Sequence, residues 1–199
     1  MVLVYTVHMS TGYDNITNNR FAKLAQMGEI VFHTADLANL WQIRNKNTLY
    51  TTLKRYTQKG LLFRIYRGFY SLKKIEQINP VFLGIKALNR FAYLSAESVL
   101  AKAGIISQVS SRITLISSIS KKFSIKNNFY LVRKLDDKFL FNPAGIELKG
   151  GFYQATPERA VADLLYFNPR YFFDGAKIVN WKKVKEIQEE LGYPIVNKK

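Results

Sequence analysis

Two patterns in the sequence place acids and bases at spacings that chemistry uses. Asp137, followed by Glu147-Leu148-Lys149, matches the Asp…Glu-x-Lys order of metal-dependent nucleases. There two carboxylates hold Mg²⁺ and a lysine positions or polarises the attacking water. Against it, Asp136-Asp137 stands where a hairpin turn favours Asp, no proline precedes the acid pair, and the spacing arises readily by chance. Glu158, Arg159 and Asp163 form the second cluster. Arg159 and Asp163 are four residues apart, which predicts a helix-surface ion pair worth about a few tenths of a kcal/mol. The chain has no cysteine, which excludes disulfides, a thiolate nucleophile and Cys-ligated zinc or Fe–S centres. Its two histidines, His8 and His33, are too few for a His-rich metal site, and both are expected to be structural or incidental. Gly150-Gly151 lacks the Lys-Ser/Thr of a phosphate loop. No catalytic residue, metal ligand or cofactor is expected, and the chain is expected not to be an enzyme.

Charge is the stronger signal. The 199 residues carry 30 Lys and Arg against 14 Asp and Glu, a net +16, which favours nucleic acid, an acidic membrane or an acidic protein as partner. Between Asp36 and Glu76 the ionised residues are Arg44, Lys46, Lys54, Arg55, Lys59, Arg64, Arg67, Lys73 and Lys74, with no acid among them. An ordinary solvated face mixes signs, so a one-sign stretch of this length points to phosphate. Residues 79–199 are also basic, 19 against 10, but there the signs are interspersed. No apolar run approaches the roughly 18 residues of a membrane span. Met1 to His8 has neither a basic flank nor a small-residue cleavage site, so no signal peptide is expected and the protein is expected to be cytoplasmic.

The elements that must position these charges follow from periodicity. Asn18–Met27 predicts a short helix with Phe21, Leu24 and Ala25 inward, ended by Gly28. Ile30–Phe32 predicts a short strand. Thr34 is the expected cap of a helix carrying Ala35, Leu37, Ala38 and Trp41, with Asp36 in its first turn. Asn45 caps a third helix, Lys46–Lys59, ended by Gly60. Leu61–Tyr66 and Phe69–Leu72 form a hairpin around Arg67-Gly68. Helix, strand, helix, helix, hairpin is the order of a winged helix-turn-helix. In the third helix Leu49, Leu53 and Tyr56 face the core, with Thr52 beside them. Asn47, Thr51, Lys54 and Gln58 lie opposite, flanked by Tyr50 and Arg55. Such a face fits the major groove of duplex DNA. Arg64 and Arg67 on the hairpin, and Arg44 and Lys46 before the helix, extend the basic track. Arg44, Lys46, Asn47, Tyr50, Thr51, Lys54, Arg55, Gln58, Arg64 and Arg67 are therefore the candidate DNA-binding residues. Thr51 and Lys54 are expected to read bases and Arg67 to hold the backbone.

Beyond Ile75–Pro80 the pattern becomes mixed α and β. Asn79-Pro80 starts a helix to about Leu88. Ser95 is the expected cap of another, with Glu97 in its first turn and Gly104 at its end. Ile113–Ser117 predicts a strand. Phe129–Leu135 and Lys138–Phe141 predict a hairpin around Asp136-Asp137. Ile146–Leu148 and Phe152–Gln154 predict short strands. Thr156-Pro157-Glu158 starts a helix with Ala160, Val161, Leu164 and Leu165 inward. Asn180 starts the last helix, with Trp181, Val184, Ile187 and Leu191 inward and with Lys182–Glu186 and Lys185–Glu189 as i,i+4 pairs. The fold class is α+β: a winged helix-turn-helix domain over residues 1–78, then a mixed α+β effector domain over 79–199.

Several of these segments together resemble one family. Thr34-Ala35-Asp36-Leu37-Ala38, the Leu49–Gly60 helix and the hairpin from Gly60 to Tyr70 look like the winged-helix module of AbiEi antitoxins of the bacterial abortive-infection (type IV) toxin–antitoxin system. Tyr93 to Leu100 and Ala155 to Leu165 are similar to that family's second half. The resemblance covers most of residues 20–170. It implies a first domain that binds inverted repeats of its own promoter and represses its operon. It implies a second domain that counteracts a neighbouring nucleotidyltransferase-like toxin, with no stable complex assumed, and a dimer or cooperative monomers on DNA. The competing readings are a stand-alone repressor, a nuclease carried by a DNA-binding module, and an RNA-binding protein.

Overall fold

In the computed structural model, which describes residues 12–108 and 111–195, the chain divides into two compact units, Met1–Ile78 and Asn79–Lys199. The first holds helices α1 (Gly12–Gln26), α2 (Thr34–Trp41) and α3 (Lys46–Gln58) and strands β1 (Val31–His33), β2 (Phe63–Tyr66) and β3 (Phe69–Ser71). The strands form an antiparallel sheet in the order β1-β3-β2. Leu24, Phe32, Leu37, Trp41, Leu49, Leu53, Tyr56, Leu62 and Tyr70 form one core between helices and sheet. Trp41 packs on Tyr56 at 5.2 Å between ring centroids, and its indole N–H donates to the Arg20 carbonyl at 3.2 Å.

Local details of this unit differ from expectation. Helix α1 begins at Gly12 rather than Asn18; its first turns are rich in Gly, Asp, Asn and Thr, which favour turns and caps and so give no helical signal. His8 lies outside the described residues. Thr34 is the first helical residue, not the cap. Asp36 Oδ2 instead accepts the His33 N–H at 2.8 Å, while the Thr34 N–H donates to the Gly68 carbonyl at 2.9 Å. His33 extends β1 because it pairs with Phe69 and packs its ring, tilted, against the Phe69 ring at 4.6 Å between centroids. Strand β2 starts only at Phe63, because Leu61 N–H and Leu62 N–H both turn back to the Tyr56 carbonyl to close α3.

The second unit is built on a six-stranded sheet. Its strands are β4 (Ala92–Leu94), β5 (Arg112–Ser117), β6 (Lys121–Ile125), β7 (Asn128–Lys134), β8 (Ile146–Lys149) and β9 (Phe152–Ala155). They lie in the order β6-β7-β5-β4-β9-β8. The pairs β5–β7 and β4–β9 are parallel and the rest antiparallel. Helices α4 (Pro80–Leu88), α5 (Glu97–Lys102), α6 (Asp137–Leu140), α7 (Pro157–Phe167) and α8 (Trp181–Leu191) complete it. Asn79, Thr156 and Asn180 cap α4, α7 and α8 through their side-chain oxygens. With both units counted, the protein is mixed α+β, and no helix among the described residues is long and apolar enough to cross a membrane.

The hairpin expected around Asp136-Asp137 does not form. Residues 137–140 are the helical turn α6, in which the Asp136 carbonyl accepts from Phe139 N–H and Leu140 N–H and both side chains are buried. The antiparallel partner of β7 is the unexpected β6, joined to it through Lys126 at φ +50°. Trp181 is half-buried, not a core residue.

The largest correction concerns Arg159 and Asp163. They are not a surface pair: both are wholly buried, with Arg159 Nε 2.9 Å from Asp163 Oδ1. The remaining guanidinium donors reach the Asn142 and Ala144 carbonyls, the Tyr93 hydroxyl and the Phe139 carbonyl. Asp163 also accepts hydroxyl protons from Tyr93, Ser95 and Tyr193 at 2.8–3.0 Å. That bond takes Ser95 away from the expected cap of α5. Burial, the largest single effect, would lower the Arg159 pKa; the charge and hydrogen bond of Asp163 and the Tyr93 and Tyr193 phenols together outweigh it, so the value is raised. Burial raises the Tyr93 and Tyr193 phenols, and the Asp163 charge adds to the effect. An ion pair this deep is tolerated because every polar atom finds a partner.

Candidate nucleic-acid interface

Helix α3 divides cleanly into two faces. Leu49, Thr52, Leu53 and Tyr56 are buried, which fixes the helix on the core. Asn47, Tyr50, Thr51, Lys54, Arg55 and Gln58 are exposed. The Asn45 carboxamide oxygen caps the helix, accepting from Asn47 N–H at 2.9 Å and Thr48 N–H at 3.2 Å. No acid sits in the first turn. The positive end of the helix dipole therefore adds to Arg44 and Lys46, both exposed.

The hairpin of β2 and β3 turns at Arg67-Gly68, with Gly68 at φ +87°. Arg64 on β2 pairs across the strands with Tyr70 on β3, and Arg64 and Arg67 are exposed. Helix and hairpin meet in an open cleft of about 420 Å³, lined by Tyr50, Lys54, Thr57, Arg64, Arg67 and Tyr70. The Thr57 hydroxyl donates to the Lys54 carbonyl at 2.8 Å and is committed to the helix. Among the described residues no carboxylate pairs with Lys54, Arg64 or Arg67. Burial raises the Tyr70 phenol above its ordinary value, with Arg64 pulling it down and Tyr50 pushing it up. Tyr70 therefore presents a neutral O–H donor beside the cations. Three uncompensated cations and two phenols, with no acid in the lining, form a site that attracts an oxyanion.

The structure thus exposes all ten candidate residues and brings four of them, Tyr50, Lys54, Arg64 and Arg67, into one cleft. Arg44, Lys46, Asn47, Thr51, Arg55 and Gln58 do not line it. Tyr70 was missed because its position reads as core. The signal was the hairpin register, which sets it opposite Arg64.

The three residues of the nuclease pattern do not line one cleft. Glu147 and Lys149 line a second cleft of about 500 Å³ in the other unit, with Glu158 and Lys183 3.9 Å apart in its wall. Asp137, in α6, does not line it. Among the described residues no group of three or more His, Cys, Asp or Glu is placed to hold a metal ion.

No protein-family model matches the chain, and no curated protein matches its sequence. Among solved structures, the crystal structure of the RV2827C protein from Mycobacterium tuberculosis is similar in fold. The TM-score is 0.54 at 12% identity, over 90% of this chain and 72% of that one.

Proposed function

We propose that the first unit is a winged helix-turn-helix that binds double-stranded DNA, with α3 in the major groove and the β2–β3 hairpin as the wing. The observation that carries this reading is the acid-free cleft in which the outer face of α3 and the hairpin present Lys54, Arg64 and Arg67 together. Lys54 shares that cleft with the wing arginines, so it grips phosphate with them rather than reading bases. Asn47, Thr51 and Gln58, exposed outside the cleft, are left for base edges, where amides and hydroxyls discriminate. On the resemblance described above, the whole chain is an AbiEi-type antitoxin. It represses its own operon at inverted repeats and counteracts a nucleotidyltransferase-like toxin through the second unit.

The test is fluorescence-anisotropy binding to the chain's own upstream DNA and to a scrambled duplex, across a salt series. Preference for the upstream DNA at physiological salt supports the reading; equal, steeply salt-dependent binding to both duplexes refutes it. Co-expression with the neighbouring gene then separates antitoxin from plain repressor: the chain restores growth only if that gene is toxic and this protein counteracts it.

A further inference from the structure

The six-stranded sheet has two unlike edges. β6 presents Lys121 and Lys122, cations that blunt an edge against pairing with a copy of itself. β8 reads Ile146-Glu147-Leu148-Lys149, opposite charges placed symmetrically about a leucine. Glu147, Leu148 and Lys149 are exposed, Leu148 at 68%. Among the described residues neither Glu147 nor Lys149 has an ion-pair partner.

The backbone of this edge is also open. β8 joins β9 through the two-residue turn Gly150-Gly151, with Lys149 opposite Phe152 and Glu147 opposite Gln154. The pair that flanks such a turn is hydrogen-bonded, and bonded and non-bonded pairs alternate. Lys149 and Glu147 therefore bond inward, and the N–H and C=O of Leu148 point to the free edge. The Ile146 N–H is already taken by the Pro143 carbonyl at 2.9 Å.

We propose that β8 is a homotypic docking edge, at which a second copy of this chain pairs antiparallel about a two-fold axis through Leu148. In that register each Leu148 N–H donates to the Leu148 carbonyl of the other copy. Glu147 of each copy stands opposite Lys149 of the other, giving two cross-strand ion pairs on one face. On the opposite face Leu148 lies beside its cross-strand neighbour Tyr153, 44% exposed. Phe91 packs against both Tyr153 and the 60%-exposed Phe141, at 5.5 and 5.4 Å. These apolar groups flank the axis in both copies. A two-fold interface must be complementary to itself; one acid and one base about a central leucine satisfy that condition, and the lysine-bearing β6 edge does not. The inference does not rest on DNA binding, although it supplies the two copies that an inverted repeat asks for.

The test is sedimentation equilibrium of the full chain over a range of protein and salt concentrations, with circular dichroism to confirm folding. The expected result is a mass rising with concentration from 23.0 kDa toward twice that value. Glu147→Lys and Lys149→Glu should each weaken association by about tenfold or more, because both cross-strand pairs become repulsive. An equimolar mixture should associate again, since it sets a strand with two cations against one with two anions. A wild-type chain that stays at protomer mass overturns the proposal. So do single variants that associate like the wild type, or a mixture that stays monomeric.

Discussion

Asp163→Ala is the substitution whose cost follows most directly from the structure. It leaves Arg159 wholly buried without its counter-charge and removes the acceptor of the Tyr93, Ser95 and Tyr193 hydroxyls. Removing one partner of a buried pair costs about 3–5 kcal/mol, because the other charge stays behind without compensation. Against a net stability of about 5–15 kcal/mol for a domain, that is a large fraction, and it lowers the Tm by on the order of 10 °C. The assay is urea denaturation followed by tryptophan fluorescence in a Trp41→Phe background. Trp181, the other of the two tryptophans, then reports on the second unit alone. Lys182→Ala is the control: its pair with Glu186 is long at 4.0 Å and exposed on both sides, and its loss changes stability by less than about 0.5 kcal/mol. If Asp163→Ala unfolds at the same urea concentration as Lys182→Ala, the network does not carry the stability assigned to it.

Three further outcomes are expected. In the anisotropy assay Thr51→Ala reduces the preference for upstream DNA, while Lys54→Ala and Arg67→Ala weaken binding to all duplexes and each lower the salt slope by about 1; a Lys54→Ala protein that loses only its preference contradicts the clamp. Gly84→Ala destabilises the second unit in the same fluorescence assay, because a β-carbon there would stand 2.2 Å from the Tyr130 ring; unchanged stability would show that the ring moves aside freely. Burial pushes the Tyr130 phenol from 10.0 up to about 12, so the folded state holds the neutral form. The stability this group contributes is complete below about pH 10 and is lost as pH rises through about 12; Tyr130→Phe should flatten that part of a urea-midpoint profile against pH.

Capping residues and glycines were the most legible features of the sequence. Asn45, Asn79, Thr156 and Asn180 all cap helices through their side chains, and Gly60, Gly104 and Gly192 adopt positive φ just after helices end. Such signals are local, and so is the alternation of faces along α3. What was illegible depended on distant partners. Ser95 looks like a cap until Asp163, sixty-eight residues on, claims its hydroxyl. An i,i+4 Arg–Asp pair is read as exposed unless the carbonyls of residues 139, 142 and 144 are known to surround it. In the candidate site the helix face was visible in the spacing of Asn47, Thr51, Lys54 and Gln58. The union of Lys54 with the hairpin was not, because it depends on how β2 and β3 are set against α3.

The buried network also orders events in time. Its side chains come from Tyr93, Ser95, Arg159, Asp163 and Tyr193, so a nascent second unit carries an unfinished centre until residue 193 has emerged from the ribosome. Among the described residues, the buried core of the first unit and the apolar groups packed on it come from residues 21 to 72. Domains fold as units, N-terminal first, during synthesis. Translation arrested between the two points therefore leaves a chain whose first unit has all its core residues and whose second is open to proteases.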